Sequence, residues 1–392
     1  MSFSDKIDEW ILEAETRPGS ALMVLKLVAN RLRDLTARNE ELLAENIALQ
    51  DGTRVQDYQK RIAHLEYQLE LLKRRVGAEP GALLEQPAET ALPALLVYNA
   101  RGRILRLDVA PDAQSLGRLE GELQVDGELP RLLCVTADAE VLLLFTSGRI
   151  ATLSVEKLPA LPTGAAWTWE QAALPDEPHA GERLACLMPL SRLALSAFFV
   201  QASRRGCVKK TLVSMAQSVL DNHYLGRGTP HKTDNAFDAL LCDKEQRLAI
   251  VTYEGRLLGL DVDALSYAAE QRLHLETTDY LIASFIPAPG EWLLCLTQNG
   301  KVIQRDAATL EVARSTATRG QALIPPSRLD QGTRFVGAAS VRDTDRLAVL
   351  DASGQITLHS AAAVAGAGSV PAQGLVLSLG VLPAAGERSS RS

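Results

Sequence analysis

The chain is 392 residues long, 46% hydrophobic, and carries a formal net charge of −7 at pH 7. That length exceeds one ordinary domain unless the chain is built from repeats. The mild acidity excludes binding of polyanions by overall charge, so any nucleic-acid surface must be a local patch. The opening MSFSDKIDEW lacks the apolar core of a signal peptide, and no run of about 18 uncharged apolar residues occurs. Cys134, Cys186, Cys207, Cys242 and Cys295 show no C-x-x-C spacing. They read as buried free thiols in a cytoplasmic protein with no membrane partner.

Residues 1–76 have helical periodicity. Arg17-Pro18-Gly19-Ser20 ends a short helix, and Ser20 caps a longer one. Leu25, Leu32, Asn39 and Asn46 recur every seven residues, as do Val28, Leu35, Leu42 and Leu49 three positions on. This a/d seam predicts a coiled coil, and Asn at two a positions favours a parallel, in-register homodimer. The seam breaks at Asp51-Gly52 and resumes in a shifted frame from Val55 to Val76. A long dimeric coil with a skip and an antiparallel hairpin turned at Gly52 both fit. Residues 77–93, GAEPGALLEQPAETALP, read as a linker.

From residue 94 to 382 one pattern recurs six times: an apolar strand, a polar turn ending in Gly, then a second β-rich strand. The copies are ARGRILRLDV, TSGRIATLSV, SRRGCVKKTLV, YEGRLLGLDV, QNGKVIQRDA and ASGQITLHSA. Their glycines, Gly102, Gly148, Gly206, Gly255, Gly300 and Gly354, are separated by 46, 58, 49, 45 and 54 residues. A period near 50 in strand-rich sequence predicts a mainly β, six-bladed propeller or pinwheel. The first copy lacks a leading strand. Gly374–Pro383 is a strand without a partner of its own, and pairing it with the Leu95 region would close the ring and remove exposed sheet edges. Residues 383–392 read as a disordered tail.

The pattern apolar run, Thr/Ser-x-Gly, then Gly-x-apolar-Lys/Arg resembles the C-terminal β-pinwheel of DNA gyrase A and topoisomerase IV. Cys207-Val208-Lys209-Lys210 after Gly206 is similar to the family's Gly-x-apolar-Lys-Arg strand. Thr318-Arg319-Gly320-Gln321-Ala322-Leu323-Ile324, followed by Leu329 to Val336, resembles its inter-blade connection. In that family the pinwheel binds and bends DNA around a positively charged rim. The resemblance therefore implies double-stranded DNA as partner. It also implies phosphate contacts from Arg204, Arg205, Lys209 and Lys210, from Arg103, Arg149, Arg256 and Lys301 just after the repeat glycines, and from Arg106, Arg227 and Arg305. Only Lys209-Lys210 fills the family's paired basic position; the other blades offer Leu105-Arg106, Ala151-Thr152, Leu258-Gly259, Ile303-Gln304 and Thr357-Leu358. Gly226-Arg227-Gly228 resembles a remnant of the family's basic, Gly-rich box, which is not present in full.

The tyrosine-bearing cleavage domain of those enzymes has no counterpart, so the chain is expected to be no enzyme. The six histidines are scattered, and no P-loop, G-x-S-x-G or dinucleotide fingerprint occurs, so no metal and no cofactor are expected. Trp167 and Trp169 either form a stacking platform for a base or pack a loop onto the disc. The residues thus support a non-catalytic, sequence-independent duplex DNA binder dimerised by the coiled coil. The alternative is a protein–protein scaffold whose rim no longer binds DNA.

Overall fold

A computed structural model describes residues 92–313 and 317–384, together with Lys26, Ala29 and Asn39. The chain divides into two units, Met1–Glu89 and Thr90–Ser392. Of the heptad positions, Leu25, Val28, Leu32, Leu35, Leu42, Asn46 and Leu49 lie outside the described residues, as does the tail 385–392; Asn39 is helical and exposed. Among the described residues no helix is long and apolar enough to cross a membrane.

The second unit is a six-bladed propeller, each blade being a hairpin plus an inner strand. Blade 1 is β1 (Pro93–Tyr98) and β2 (Ile104–Asp108) with β4 (Arg131–Thr136) inside; blade 2 is β5 (Glu140–Phe145) and β6 (Ile150–Ser154) with β9 (Leu184–Pro189). Blade 3 is β10 (Phe198–Ser203) and β11 (Cys207–Leu212) with β12 (Ala236–Cys242); blade 4 is β13 (Arg247–Thr252) and β14 (Arg256–Asp261) with β16 (Leu281–Phe285). Blade 5 is β17 (Trp292–Thr297) and β18 (Val302–Asp306) with β20 (Phe335–Val341); blade 6 is β21 (Arg346–Asp351) and β22 (Gln355–Ser360) with β23 (Val376–Leu382). The middle strands read as unbroken apolar runs, such as EVLLLF in β5 and RLAVLD in β21, because a blade is covered on both faces by its neighbours. Six apolar clusters result, one between each adjacent pair of blades, including blades 6 and 1.

The strand that closes the ring differs from the sequence expectation. β23 pairs with β21, from Arg346↔Leu382 to Asp351↔Val376, and so completes the last blade rather than the first. β1 takes β4 instead, from Pro93↔Thr136 to Tyr98↔Arg131. The unit is a hairpin followed by its inner strand, not a strand followed by its hairpin; a regular repeat looks the same in either frame. Closure falls to the chain after β2. There β3 (Ser115–Leu119) crosses to the outer edge of β22, with Leu119 N–H donating to Gly354 O at 2.8 Å and Leu358 N–H to Gln114 O at 2.8 Å. β8 (Ala165–Trp167) adds to β3. The crossing is general: β7 (Ala160–Leu161), after blade 2, lies on β2; β15 (Glu270–Gln271), after blade 4, on β11; β19 (Gln321–Ala322), after blade 5, on β14. Trp167 is buried in the cluster between blades 6 and 1 and donates to Pro162 O, so it packs a loop onto the disc.

Candidate nucleic-acid interface

The hairpin turns, which carry the repeat glycines, all face one side of the disc. Between the paired strands of these six turns stand Arg101, Arg103, Arg149, Arg204, Arg205 and Lys301, against a single acid, Glu254. The turns on the other side, which lead from each inner strand into the next hairpin, carry Asp138, Asp243, Glu245, Glu291, Asp343 and Asp345 against Arg192, Lys244 and Arg342. The hairpin turns taken alone are basic and the turns opposite them acidic, while the long connections bring Asp126, Glu128, Asp176, Glu182 and Asp279 to the same side as the hairpin turns.

Several of the cations expected to touch phosphate are held inside the fold. Lys210 is 5% exposed; its ammonium donates to Val262 O at 3.1 Å and Asp263 O at 2.8 Å and lies 4.6 Å from the Phe198 ring centroid. Lys209 donates to Leu225 O at 2.9 Å, and burial lowers its ammonium pKa. Arg205 donates to the carbonyls of Leu275, Glu276, Thr277 and Asp279, so it ties blade 3 to the loop leaving blade 4. Arg106 binds Asp108 and the carbonyls of Val155, Glu156 and Leu158. Arg227 donates to Lys232 O and Asp234 O within its own loop.

Others lie at the surface but are already paired. Arg149 meets Asp176 and Glu182 and lies 3.8 Å over the Phe145 ring. Arg204 meets Glu128 and lies 4.4 Å over Tyr280. Arg103 donates to Trp169 O. Among the described residues, Arg103, Arg256, Lys301 and Arg305 have no carboxylate within 4.0 Å; Lys301 and Arg305 are exposed and Arg103 and Arg256 half-buried. The eleven residues therefore do not form one patch.

No protein-family model matches the chain, and no curated protein does. Solved structures do. The C-terminal domain of DNA gyrase A aligns with a TM-score of 0.53 at 12% identity, over 74% of this chain and 100% of that one. The propeller shares that fold. The C-terminal domain of DNA topoisomerase IV gives a TM-score of 0.48 at 18% identity, covering 76% of this chain and 95% of the other. The E. coli ParC C-terminal domain gives 0.31 at 11%, covering 73% and 94%.

Within this gyrase-like frame the structure adds residues that the repeat motif did not mark. Tyr253 and Tyr280 stack with centroids 4.8 Å apart, between Arg204 on one side and Arg334, 5.8 Å from Tyr253, on the other. Burial pushes the Tyr280 hydroxyl up to about 12. Arg101, beside Gly102, and Arg183, just before β9, lie on the same side and face Asp126 and Glu128. Arg101 was visible as the first arginine of Arg-Gly-Arg; Arg183 has no motif at all.

The face opens into a central cavity of about 680 Å³ bounded by the six inner strands. Arg131 stands in it, donating to Phe237 O at 3.0 Å and facing Asp238 at 3.5 Å, while Asp238 accepts from Ser284 at 2.8 Å. That cluster links β4, β12 and β16 around the bore. Among the described residues no group of three His, Cys, Asp or Glu side chains could hold a metal ion.

Proposed function

We propose that the propeller is a non-catalytic, sequence-independent module for duplex DNA, and that the N-terminal heptads pair two copies of the chain. DNA lies against the hairpin turns and runs down the outer edge of blade 5, contacted by Arg103, Arg256 and Lys301 at the turns and by Arg305 at the far end of β18. The observation that carries this reading is the make-up of the six hairpin turns, which hold Arg101, Arg103, Arg149, Arg204, Arg205 and Lys301 against Glu254 alone in a chain that is acidic overall. The fold shared with the DNA gyrase A C-terminal domain supports it. Contacts of this kind go to phosphate, so they position the duplex without reading bases.

The test is duplex binding by fluorescence anisotropy across salt. Four phosphate contacts give a slope of log Kobs against log salt of about −3.6, or roughly 100-fold weaker binding between about 50 and 200 mM. Two duplexes of unrelated sequence should bind alike. Arg256→Ala with Lys301→Ala should flatten the slope by about 1.8. A scaffold role is favoured by the carboxylates that already hold Arg149 and Arg204; it becomes the better reading if no duplex binds at low salt.

Pairing of two chains has its own measurement. Light scattering of the full chain should give twice the chain mass, and Leu35→Glu with Leu42→Glu should return it to one. A single-chain mass for the unsubstituted protein would select the intrachain hairpin.

A further inference from the structure

Between β3 and β4 the chain reads Glu120-Gly121-Glu122-Leu123-Gln124-Val125-Asp126-Gly127-Glu128-Leu129-Pro130. Four of these eleven residues are acidic, and the tip of the segment lies among the basic hairpin turns. Its tip is a two-residue turn. Val125 N–H donates to Glu128 O at 2.9 Å and Glu128 N–H returns to Val125 O at 3.0 Å, with Asp126 at φ 53° and Gly127 at φ 79°. That is the twist a type I′ hairpin turn requires. Val125 is buried and anchors the strap, and Trp169 Nε1 donates to Glu122 O at 3.0 Å. Beyond Val125 the tip is exposed and its side chains end on arginines.

Those ends come from three blades. Asp126 takes the guanidinium of Arg101, in the turn of blade 1, as a fork: Nε to Oδ2 at 3.0 Å and Nη2 to Oδ1 at 2.9 Å. Glu128 accepts from Arg204, in the turn of blade 3, and the same oxygen lies 3.6 Å from Arg183 at the foot of blade 2's inner strand. Glu128, Gly127 and Gln124 also border the mouth of the central cavity. Arg101 beside Asp126 holds that carboxyl below the usual range.

A carboxylate on a guanidinium fork occupies the same donors that a phosphate would take. The geometry points to Arg101, Arg183 and Arg204 as a phosphate-binding site for duplex backbone, filled in this state by Asp126 and Glu128 as an internal competitor. This rests on the DNA-binding reading above and extends it from the open cations to the masked ones. The Arg101–Asp126 pair is suited to exchange, its side chains being 63% and 38% exposed, and exposed ion pairs are weak and screened by salt; Arg204 and Glu128 are 30% and 31% exposed. A polyanion that brings several phosphates at once can displace two tethered carboxylates.

The experiment neutralises the strap in the full chain with Asp126→Asn and Glu128→Gln. Asn-Gly keeps the turn that Asp-Gly makes, and Gln keeps the length of Glu. The control, Asp138→Asn with Glu156→Gln, changes net charge equally but away from the hairpin face. The strap variant should bind duplex about tenfold more tightly than the unsubstituted chain near 50 mM salt, with a slope steeper by about 1.8 for two further phosphates. The control should bind as before. Adding Arg101→Ala, an exposed side chain, to the strap variant should take back about half of the extra slope. Equal affinity for strap variant and unsubstituted chain overturns the masked site and leaves the DNA-binding reading standing. Equal tightening in strap variant and control reduces the effect to net charge and overturns it too. Failure of every variant to bind at low salt overturns both.

Discussion

Gly354→Ala should destabilise the propeller by about 3–5 kcal/mol, a large part of the margin of an ordinary domain. Gly354 sits at φ +84°, and an added Cβ would overlap Leu119 O and stand 3.0 Å from Leu119 C. The positive φ alone costs about 1–2 kcal/mol for an L side chain. The remainder comes from what the Cβ would displace. Leu119 belongs to β3, the strand that carries the closure of blade 6 by blade 1, and its N–H donates to Gly354 O at 2.8 Å. Pushing β3 away breaks that bond, at about 1 kcal/mol, and loosens Leu116, Leu119 and Trp167 from Leu350 and Ile356 in the cluster beneath.

Gly121→Ala separates the two contributions. Gly121 has φ +93° but no atom within 4 Å of an added Cβ. Its substitution should cost only the conformational part, about 1–2 kcal/mol. Chemical denaturation midpoints of the two variants give the comparison, and hydrogen exchange at Leu119 and Leu358 reports whether β3 has left β22. Equal losses for Gly354→Ala and Gly121→Ala would mean that the close approach of β3 does not matter to stability.

The same approach explains why the fold was legible from the repeats. A glycine recurs in every hairpin turn because the chain leaving the next blade passes over that turn: at Gly148 the passing residue is Gly226, and at Gly300 it is Val370, whose carbonyl oxygen would be 2.8 Å from a Cβ. The sequence records the crossing as a glycine every 45 to 58 residues, and six glycines mean six blades. It does not record which strand joins which hairpin. β23 could be assigned to blade 1 or blade 6 because apolar alternation is the same in both frames, and only the register with β21 decides.

The site was less legible, for a related reason. Whether a lysine or arginine reaches solvent depends on connecting segments that lie between 16 and 76 residues away along the chain. Lys209-Lys210 looked like the strongest basic motif, yet the turn after β14 covers Lys210 and Leu225 meets Lys209. Arg149 and Arg204 lie at the surface but are met by Glu182 and Glu128, acids in long connections outside the repeat. A motif read along one strand cannot see either event.

Lys210→Glu should destabilise the fold by more than about 4 kcal/mol, because it buries a carboxylate against two carbonyl oxygens in place of the ammonium they accept from. Lys210→Met keeps the stem and loses the two charge-assisted hydrogen bonds, worth about 1.5–3 kcal/mol each, offset in part because no ammonium is then buried. Arg106 occupies the same place in blade 1, four residues after the repeat glycine. It donates to the carbonyls of Val155, Glu156 and Leu158, as Lys210 does to those of Val262 and Asp263. In both blades a cation from one hairpin closes the turn that ends the next hairpin. The paired basic position therefore acts here as a latch between blades. Arg305→Glu, on an exposed strand end, should stay within about 0.5 kcal/mol of the unsubstituted chain while weakening duplex binding. Denaturation midpoints and duplex affinity measured on the same samples separate the two roles. If Lys210→Glu keeps its midpoint and loses only DNA, the latch is wrong and the ammonium faces phosphate after all.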